Sequence, residues 1–356
     1  VLNGKPGFIN LLDAFGAWPL VKELKQATGQ PSAASFKHVS PAGAAIAKPL
    51  SDEFRACQMI PEGELSPVAT AYARARGGDR LCSFGDVAAV SDKVDVTLAE
   101  LLKREVSDAI IAPAYDEDAL EILKTKKKGG YLVLQIDPDF EPQGNETRDS
   151  FGFTLEQSRN TAPITRELLN NIVSRKKNLP EDAIQTLLVA TIALKYTQSN
   201  SVCVAYDGQV TGMGAGQQSR VHCTRLACTK ADEWLMQTHP RVLDLKFKEG
   251  LMRAEKTNAI DQFLLWDELA KAEEEAMLAN FEEKPKPLSA DERAAWIKRH
   301  NGICISSDAF FPFRDSIDRA SRSNVQYVLQ PGGSVRDDIV IEAADHYGMV
   351  LVHSGM

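Results

Sequence analysis

Residues 107–134, SDAIIAPAYDEDALEILKTKKKGGYLVL, read as a strand–helix–strand unit. Ala109-Ile110-Ile111-Ala112 is a short apolar run closed by Pro113, which lacks the N–H a continuing strand needs. The stretch AYDEDALEILKTKKKG has helical composition and stops at Gly129-Gly130, and Tyr131–Leu134 is a second apolar run. Upstream, Val87–Ser91 and Leu98–Arg104 continue the alternation. Strands alternating with helices predict a sheet covered on its faces.

The unit recurs at the other end as VLQPGGSVRDDIVIEAADHYGMVLV, residues 328–352. A shift of 218 residues puts Pro113 on Pro331 and Gly130 on Gly348, and superposes the closing strands without a gap. The simplest reading is one α/β unit used twice. It divides the chain into a first lobe (1–140), a helical connector (141–190) and a second lobe (191–356). The connector opens with the turn-rich PDFEPQGNETRDS and continues into a helical run with Leu168, Leu169, Ile172 and Val173. The second lobe carries a charged helical excursion at about 230–300, with Ser289-Ala290-Asp291-Glu292 as a helix start. Residues 9–29 form a surface helix with Leu12, Phe15, Leu20 and Leu24 on its apolar face, ended by Gly29. The lysines 124 and 126–128 suit a helix C-terminus and need no ligand.

A chain of 356 residues fits two or three such units. With 49 acidic and 41 basic residues and a net charge of −8, it lacks the field of a general nucleic-acid coat, so an anionic ligand must meet a local basic site. No run approaches the ~20 apolar residues of a membrane span, and no signal peptide precedes the first helix. Cys57, Cys82, Cys203, Cys223, Cys228 and Cys304 are scattered, without C-x-x-C, as expected of reduced, mostly buried thiols in a cytoplasmic protein. The start at Val1 and the stop at Met356 beside a strand-like run suggest a piece of something longer.

Three segments could carry chemistry. Lys37-His38 pairs a neutral-pH proton acceptor with a cation, and Ser40-Pro41-Ala42-Gly43 supplies the bend that would aim both at one pocket. Tyr196–Arg225 reads as a hairpin turning at Asp207-Gly208, after which Gly212, Gly214 and Gly216 free backbone N–H groups for an anion and Gln217–Arg220 opens a helix. Arg220 would grip phosphate there. The glycine spacing is not the dinucleotide fingerprint, and His222, Cys223 and Cys228 make only a partial zinc set, so no zinc is expected. In SSDAFFPFRD, 306–315, three phenylalanines could wall a flat ligand with Asp315 to orient it. Ser83-Phe84-Gly85-Asp86 reads as the analogous corner of the first half.

Together these segments resemble the formyltransferase domain of the purine-biosynthesis enzymes that join AICAR transformylase to IMP cyclohydrolase. The resemblance rests on VLNGKPGFIN, SFKHVSPAGAA, AYARARGGDR, VSDAIIAP, KYTQSNSV, GAGQQSRVHCTR and SSDAFFPFRD, in the family's order. It implies duplicated cytidine-deaminase-like three-layer α/β/α units with helical insertions, without the deaminase zinc signature. It also implies transfer of formyl from 10-formyltetrahydrofolate to the 5-amino group of AICAR, in a homodimer with shared active sites.

By the same resemblance His38 accepts the amine proton, Lys37 stabilises the developing charge and Asn200 holds the substrate. Gly85, Asp108, Arg220 and Phe310 match nucleotide positions, and Val221, Asp315, Ser334 and Val335 match the folate side. Thr197, Ser199, Ser201 and Asp308 match positions where some members hold a monovalent cation such as potassium. The family's R-Y-G-x-N-P-H-Q segment and terminal R-[LF]-x-H do not occur in these residues, so weak AICAR binding by the chain as given is expected. Ser40 and Ala42 replace an Asn and a Cys of some relatives, a tolerated variation. Two other readings are a nucleotide- or folate-binding fragment without turnover and a dinucleotide-dependent oxidoreductase built on the glycine loop.

Overall fold

The computed structural model describes all residues, 1–356. Its first half runs α1 (Phe8–Thr28), β1 (Ser32–Lys37), β2 (Ser40–Ile46), α2 (Asp52–Cys57), α3 (Pro67–Gly77), β3 (Asp86–Val90), α4 (Val96–Lys103), β4 (Ser107–Ala112), α5 (Glu117–Thr125) and β5 (Leu132–Gln135). An exposed hairpin follows, β6 (Glu146–Ser150) and β7 (Phe153–Gln157). The second half starts with α6 (Glu181–Lys195), β8 (Val202–Tyr206), β9 (Gln209–Gly214) and α7 (Arg220–Met236). Next come α8 (Pro240–Leu243), α9 (Arg253–Leu264), α10 (Lys271–Leu278) and α11 (Ala290–Ile297). It closes with β10 (Cys304–Ser307), α12 (Asp315–Arg322), β11 (Tyr327–Gln330), α13 (Asp337–His346) and β12 (Val350–His353).

Ten strands form one sheet in the order β12-β11-β10-β8-β9-β2-β1-β3-β4-β5. Each half contributes an antiparallel hairpin and three strands parallel to one another, in the same relative order. The halves meet where β2 lies antiparallel to β9, with Ala45 opposite Gln209. An antiparallel seam between two like halves makes a pseudo-two-fold across the sheet. The first hairpin therefore turns at one edge of the sheet and the second at the opposite edge. The first edge also receives the starts of β3 and β4 and the ends of β9, β10 and β11.

Side chains alternate between the two faces of each strand. Ala34, Phe36, Ala89 and Ile111 of the first half and Cys203, Ala205, Leu329 and Val352 of the second pack under α1 and α6 in one shared core. On the other face the halves separate: Ala33, Val90, Ile110 and Val133 meet α3 and α4, whereas Val204, Ile305, Val328 and Leu351 meet α7, α12 and α13. The result is a three-layer α/β/α protein. None of its helices is long and apolar enough to cross a membrane.

Several sequence expectations need correction. Helix α1 does stop at Gly29, which takes φ 70, but it buries Ala14, Ala17, Trp18, Val21 and Leu24 and leaves Leu12 and Phe15 exposed. The run containing Leu168 to Val173 is not a helix beyond a single 3₁₀ turn at Arg166–Leu169; Val173 N–H donates to the Leu351 carbonyl, extending the sheet beside β12. Helix α6 runs through residue 190, where the connector was expected to end. Residues 230–236 belong to α7 on the sheet, and the excursion begins after it as a small helical cluster around Phe263, Met277 and Leu288. Ser289 does cap α11, its hydroxyl accepting from the Glu292 N–H.

Candidate functional site

The first hairpin turns through only two residues, His38 and Val39, with Lys37 paired to Ser40. The bend expected at Ser40–Gly43 is thus at His38-Val39, whose φ values are 53° and 62°. Such a turn normally takes Asn-Gly, and left-handed backbone costs other residues about 1–2 kcal/mol each. Asp13 of α1 holds it, its carboxylate accepting the Val39 N–H at 2.6 Å. Burial pushes the Asp13 pKa up, partly offset by that N–H and by nearby His38. Lys37 Nζ donates to the Phe84 carbonyl at 2.5 Å. Beyond it, Gly85 takes φ 79, and a Cβ there would stand 3.8 Å from the Asp108 carboxylate. Asp108 is ion-paired with Lys127.

Lys127 is one of the lysines read as helix-dipole partners. Only Lys124 stands in the last turn of α5, which ends at Thr125, and Lys127 and Lys128 beyond it take left-handed φ. Lys126 is buried and donates to the Glu105 carbonyl.

Two clefts adjoin Lys37. One, of about 250 Å³, lies between the turn and the second half and includes His38, Met213, Ala215 and Lys230. The other, of about 340 Å³, gathers Arg76, Arg80, Arg104 and Arg253 around one carboxylate, Glu105. Burial works against the charge of Glu105, but Arg80, Arg76 and Arg253 hold its pKa below the ordinary value. Buried Asp86, ion-paired with Arg76 at 2.9 Å, is a second counter-charge, and four guanidiniums against two carboxylates still leave a positive excess. This is the local basic site that an acidic protein needs for an anion.

Arg220, the residue expected to grip phosphate, is buried at the start of α7 and spent internally. It donates to the Ser201 carbonyl at 2.8 Å and to Asn200 Oδ1 at 2.9 Å, and is ion-paired with Asp308. Burial opposes ionisation of Asp308, yet hydrogen bonds from Ser199 and the Ser201 N–H, with the Arg220 charge, hold its pKa low. The arrangement fixes the amide of Asn200. Ser201 Oγ is buried beside this cluster without a hydrogen-bond partner, the state of an oxygen suited to a weakly held cation. Phe310 stands half-exposed past β10, while Phe311 is buried. Asp315 opens α12, and Ser334 and Val335 precede α13.

The glycine loop has another purpose than the one expected. A Cβ at Gly212 would lie 2.0 Å from the Ala227 carbonyl and one at Gly214 2.3 Å from that of Cys223, so both let α7 press directly on β9. Only Gly216 takes positive φ. In the first half Gly43 does the same against α3, 2.1 Å from the Ala75 carbonyl. Gly212 and Gly214 are therefore packing positions, and the oxidoreductase reading loses the glycine loop it was built on. Ser83–Asp86 also differs from its supposed analogue, since it precedes β3 whereas Ser306–Asp315 follows β10; the seam nevertheless brings both to one edge.

All eleven expected site residues lie along this edge, but in two groups. Lys37, His38, Gly85 and Asp108 belong to the first half, and Asn200, Arg220, Val221, Phe310, Asp315, Ser334 and Val335 to the second. With ~4.8 Å between neighbouring strands, β1 stands about 10 Å from β9 but about 19 Å from β10 and 24 Å from β11. Within one chain Asn200, Arg220 and Val221 thus flank the nearer strands, whereas Phe310, Asp315, Ser334 and Val335 lie far from Lys37-His38. Sequence reasoning missed Asp13, Lys127 and the four arginines; AYARARGGDR served only as a family match, although its Arg76 and Arg80 supply half of the basic cleft.

Comparison with known proteins adds the following. The profile described as AICARFT/IMPCHase bienzyme matches residues 1–230. The bifunctional purine biosynthesis protein PurH of Magnetococcus marinus is 31% identical over 357 residues, covering 100% of this chain and 52% of that protein. Those of Roseobacter denitrificans and Xylella fastidiosa are each 30% identical over 356 and 358 residues, covering the whole chain and 53% and 51% of those proteins. The chain spans about half the length of these curated relatives.

Proposed function

The chain belongs to the AICARFT/IMPCHase bienzyme family, which ties it to purine biosynthesis, and we propose that it is the formyltransferase half, moving formyl from 10-formyltetrahydrofolate to the 5-amino group of AICAR. The observation that carries this reading is the strained Lys37-His38-Val39 turn, held by Asp13 beside Gly85 and Asp108. Non-glycine residues in left-handed turns gather where function fixes them.

In the proposed reaction the AICAR nitrogen attacks the formyl carbon, a new C–N bond forms and the bond to folate N10 breaks. One proton leaves the amine and one arrives on N10. His38 accepts the first, and Lys37 offers an N–H to the tetrahedral oxyanion. Asn200, locked by Arg220, orients the carboxamide. The arginine cleft beside Lys37 takes an anionic part of a substrate. Thr197, Ser199, Ser201 and Asp308 would hold a monovalent cation that stabilises the loop carrying Asn200. The site is read as shared between two copies, because each chain keeps the residues past β10 and β11 far from Lys37-His38. Exposed Phe8, Leu12 and Phe15 of α1, beside the turn, and the wholly exposed β6–β7 arm with Phe151, Phe153 and Leu155 suit the face such a homodimer covers.

The test is folate-dependent turnover of AICAR by the protein. Formyl transfer is expected, and His38→Ala should lower kcat about 10²–10⁴-fold. Unchanged turnover in that variant would contradict the reading.

A further inference from the structure

The segment leaving β10 carries Phe310 and the segment leaving β11 carries Ser334 and Val335, the residues read as nucleotide and folate sides. A line of polar groups joins the two segments beneath the surface. The Phe311 N–H donates to Gln330 Oε1 at 2.6 Å, and Gln330 Nε2 lies 3.0 Å from His353 Nε2, its partner across the parallel pair β11–β12. His353 Nδ1 stands 3.9 Å from Asp337 Oδ2 at the start of α13, and that oxygen accepts the Gly333 N–H at 2.7 Å. The second segment is thereby tied down at Gly333, next to Ser334.

Hydrogen-bond chemistry allows this relay one arrangement. A backbone N–H can only donate, so Gln330 turns its carbonyl oxygen to Phe311 and its amide N–H to His353. His353 Nε2 must then accept, which leaves the ring neutral with its proton on Nδ1, the nitrogen facing Asp337. Burial lowers the His353 pKa, in keeping with a neutral ring. Gln330 is fully buried and the His353 side chain is 11% exposed, so water replaces neither partner. The ring lies directly on Gly332, where a Cβ would stand 2.5 Å from Nδ1.

The duplication supplies an internal comparison. Under the 218-residue shift Gln330 and His353 correspond to Ala112 and Gln135, which pair in the same way across β4 and β5 at the opposite edge. There the buried position is apolar, and Gln135 is exposed with its amide on the Pro113 carbonyl. The fold itself thus needs no polar relay between these strands. The relay occurs at the edge that carries the substrate-side residues.

We propose that Gln330 and His353 are positioning residues for formyl transfer: through Phe311 and Asp337 they hold the Phe310 segment and the Ser334–Val335 loop at a fixed spacing. This role rests on the formyltransferase reading.

Histidine ¹⁵N NMR and steady-state kinetics of the whole chain test it. His353 should show the neutral Nδ1–H tautomer, its signal assigned by loss in His353→Gln. His353→Phe keeps a ring but leaves the Gln330 N–H unpaired, and should raise the KM for 10-formyltetrahydrofolate about tenfold with kcat changed less than about threefold. Gln330→Leu, which breaks the same bond from the other strand, should match it. His353→Gln, whose Oε1 can accept where Nε2 did, should recover most of the parent KM, a rescue that mere filling of space would not give. An Nε2–H tautomer, or an unchanged folate KM in whichever of His353→Phe and Gln330→Leu folds, would overturn the proposal while leaving formyl transfer by the parent protein intact. A parent protein without formyl transfer would overturn the reading beneath it and this role with it.

Discussion

Val39 is a β-branched residue in left-handed backbone, where the strain is largest. Val39→Gly should relieve it, raising unfolding stability by up to ~1 kcal/mol in urea melts while loosening His38 and lowering kcat. Lower stability in that variant would deny the strain. Arg104, exposed at the rim of the basic cleft, serves binding alone: Arg104→Ala should raise KM for one anionic substrate and flatten its salt dependence with kcat little changed. Glu233 supplies a pH test. Burial, with Asp261 and Asp79 nearby, pushes its pKa up to about 7, so the folded protein holds a proton the unfolded chain has lost. Its contribution is present below pH 4.5 and disappears as pH rises toward 7. Glu233→Gln should therefore match the parent protein's Tm at low pH and exceed it above pH 7. At this scale Lys37 and His38 were legible as a chemical pair, but the turn's conformation was not, because it needs Asp13 from a helix more than twenty residues earlier.

At the scale of elements, the glycines of β9 decide where α7 sits and hence where Arg220 and Asn200 stand. Gly214→Ala puts a Cβ 2.3 Å from the Cys223 carbonyl, so α7 must move; both Tm and turnover should drop, whereas Gly29→Ala, open to solvent at φ 70, should lose only about 1 kcal/mol of stability with activity kept. Equal effects of the two changes would show that α7 is not seated by Gly214. The strand–helix alternation of 87–134 was legible because each element spans one periodic run. Leu12 and Phe15 misled because a helix stripe shows which residues are apolar, not which side meets the protein's own core. Leu168–Val173 misled because partnership with Leu351 is invisible locally.

Across the whole molecule, the core beneath α1 and α6 joins strands of both halves, while the seam itself has one bridging residue pair. The halves should unfold together, and Leu187→Ala, in the shared core, should cost about 2–5 kcal/mol and lower protection from hydrogen exchange in both halves equally. The duplication was legible as a 218-residue shift, since β5 and β12 correspond under it. The antiparallel seam was not, and the seam is what places one half's turn beside the other half's helix starts.

Mixing two inactive chains tests the central claim most directly. His38→Ala disables the first group and Asp308→Asn, which unlocks Arg220 and Asn200, disables the second. If the groups combine across a two-fold dimer, equal mixing after subunit exchange should restore about a quarter of the parent protein's formyl transfer, one intact site in each mixed dimer. Turnover that stays at the level of the separate variants, although mixed dimers form, would contradict the account.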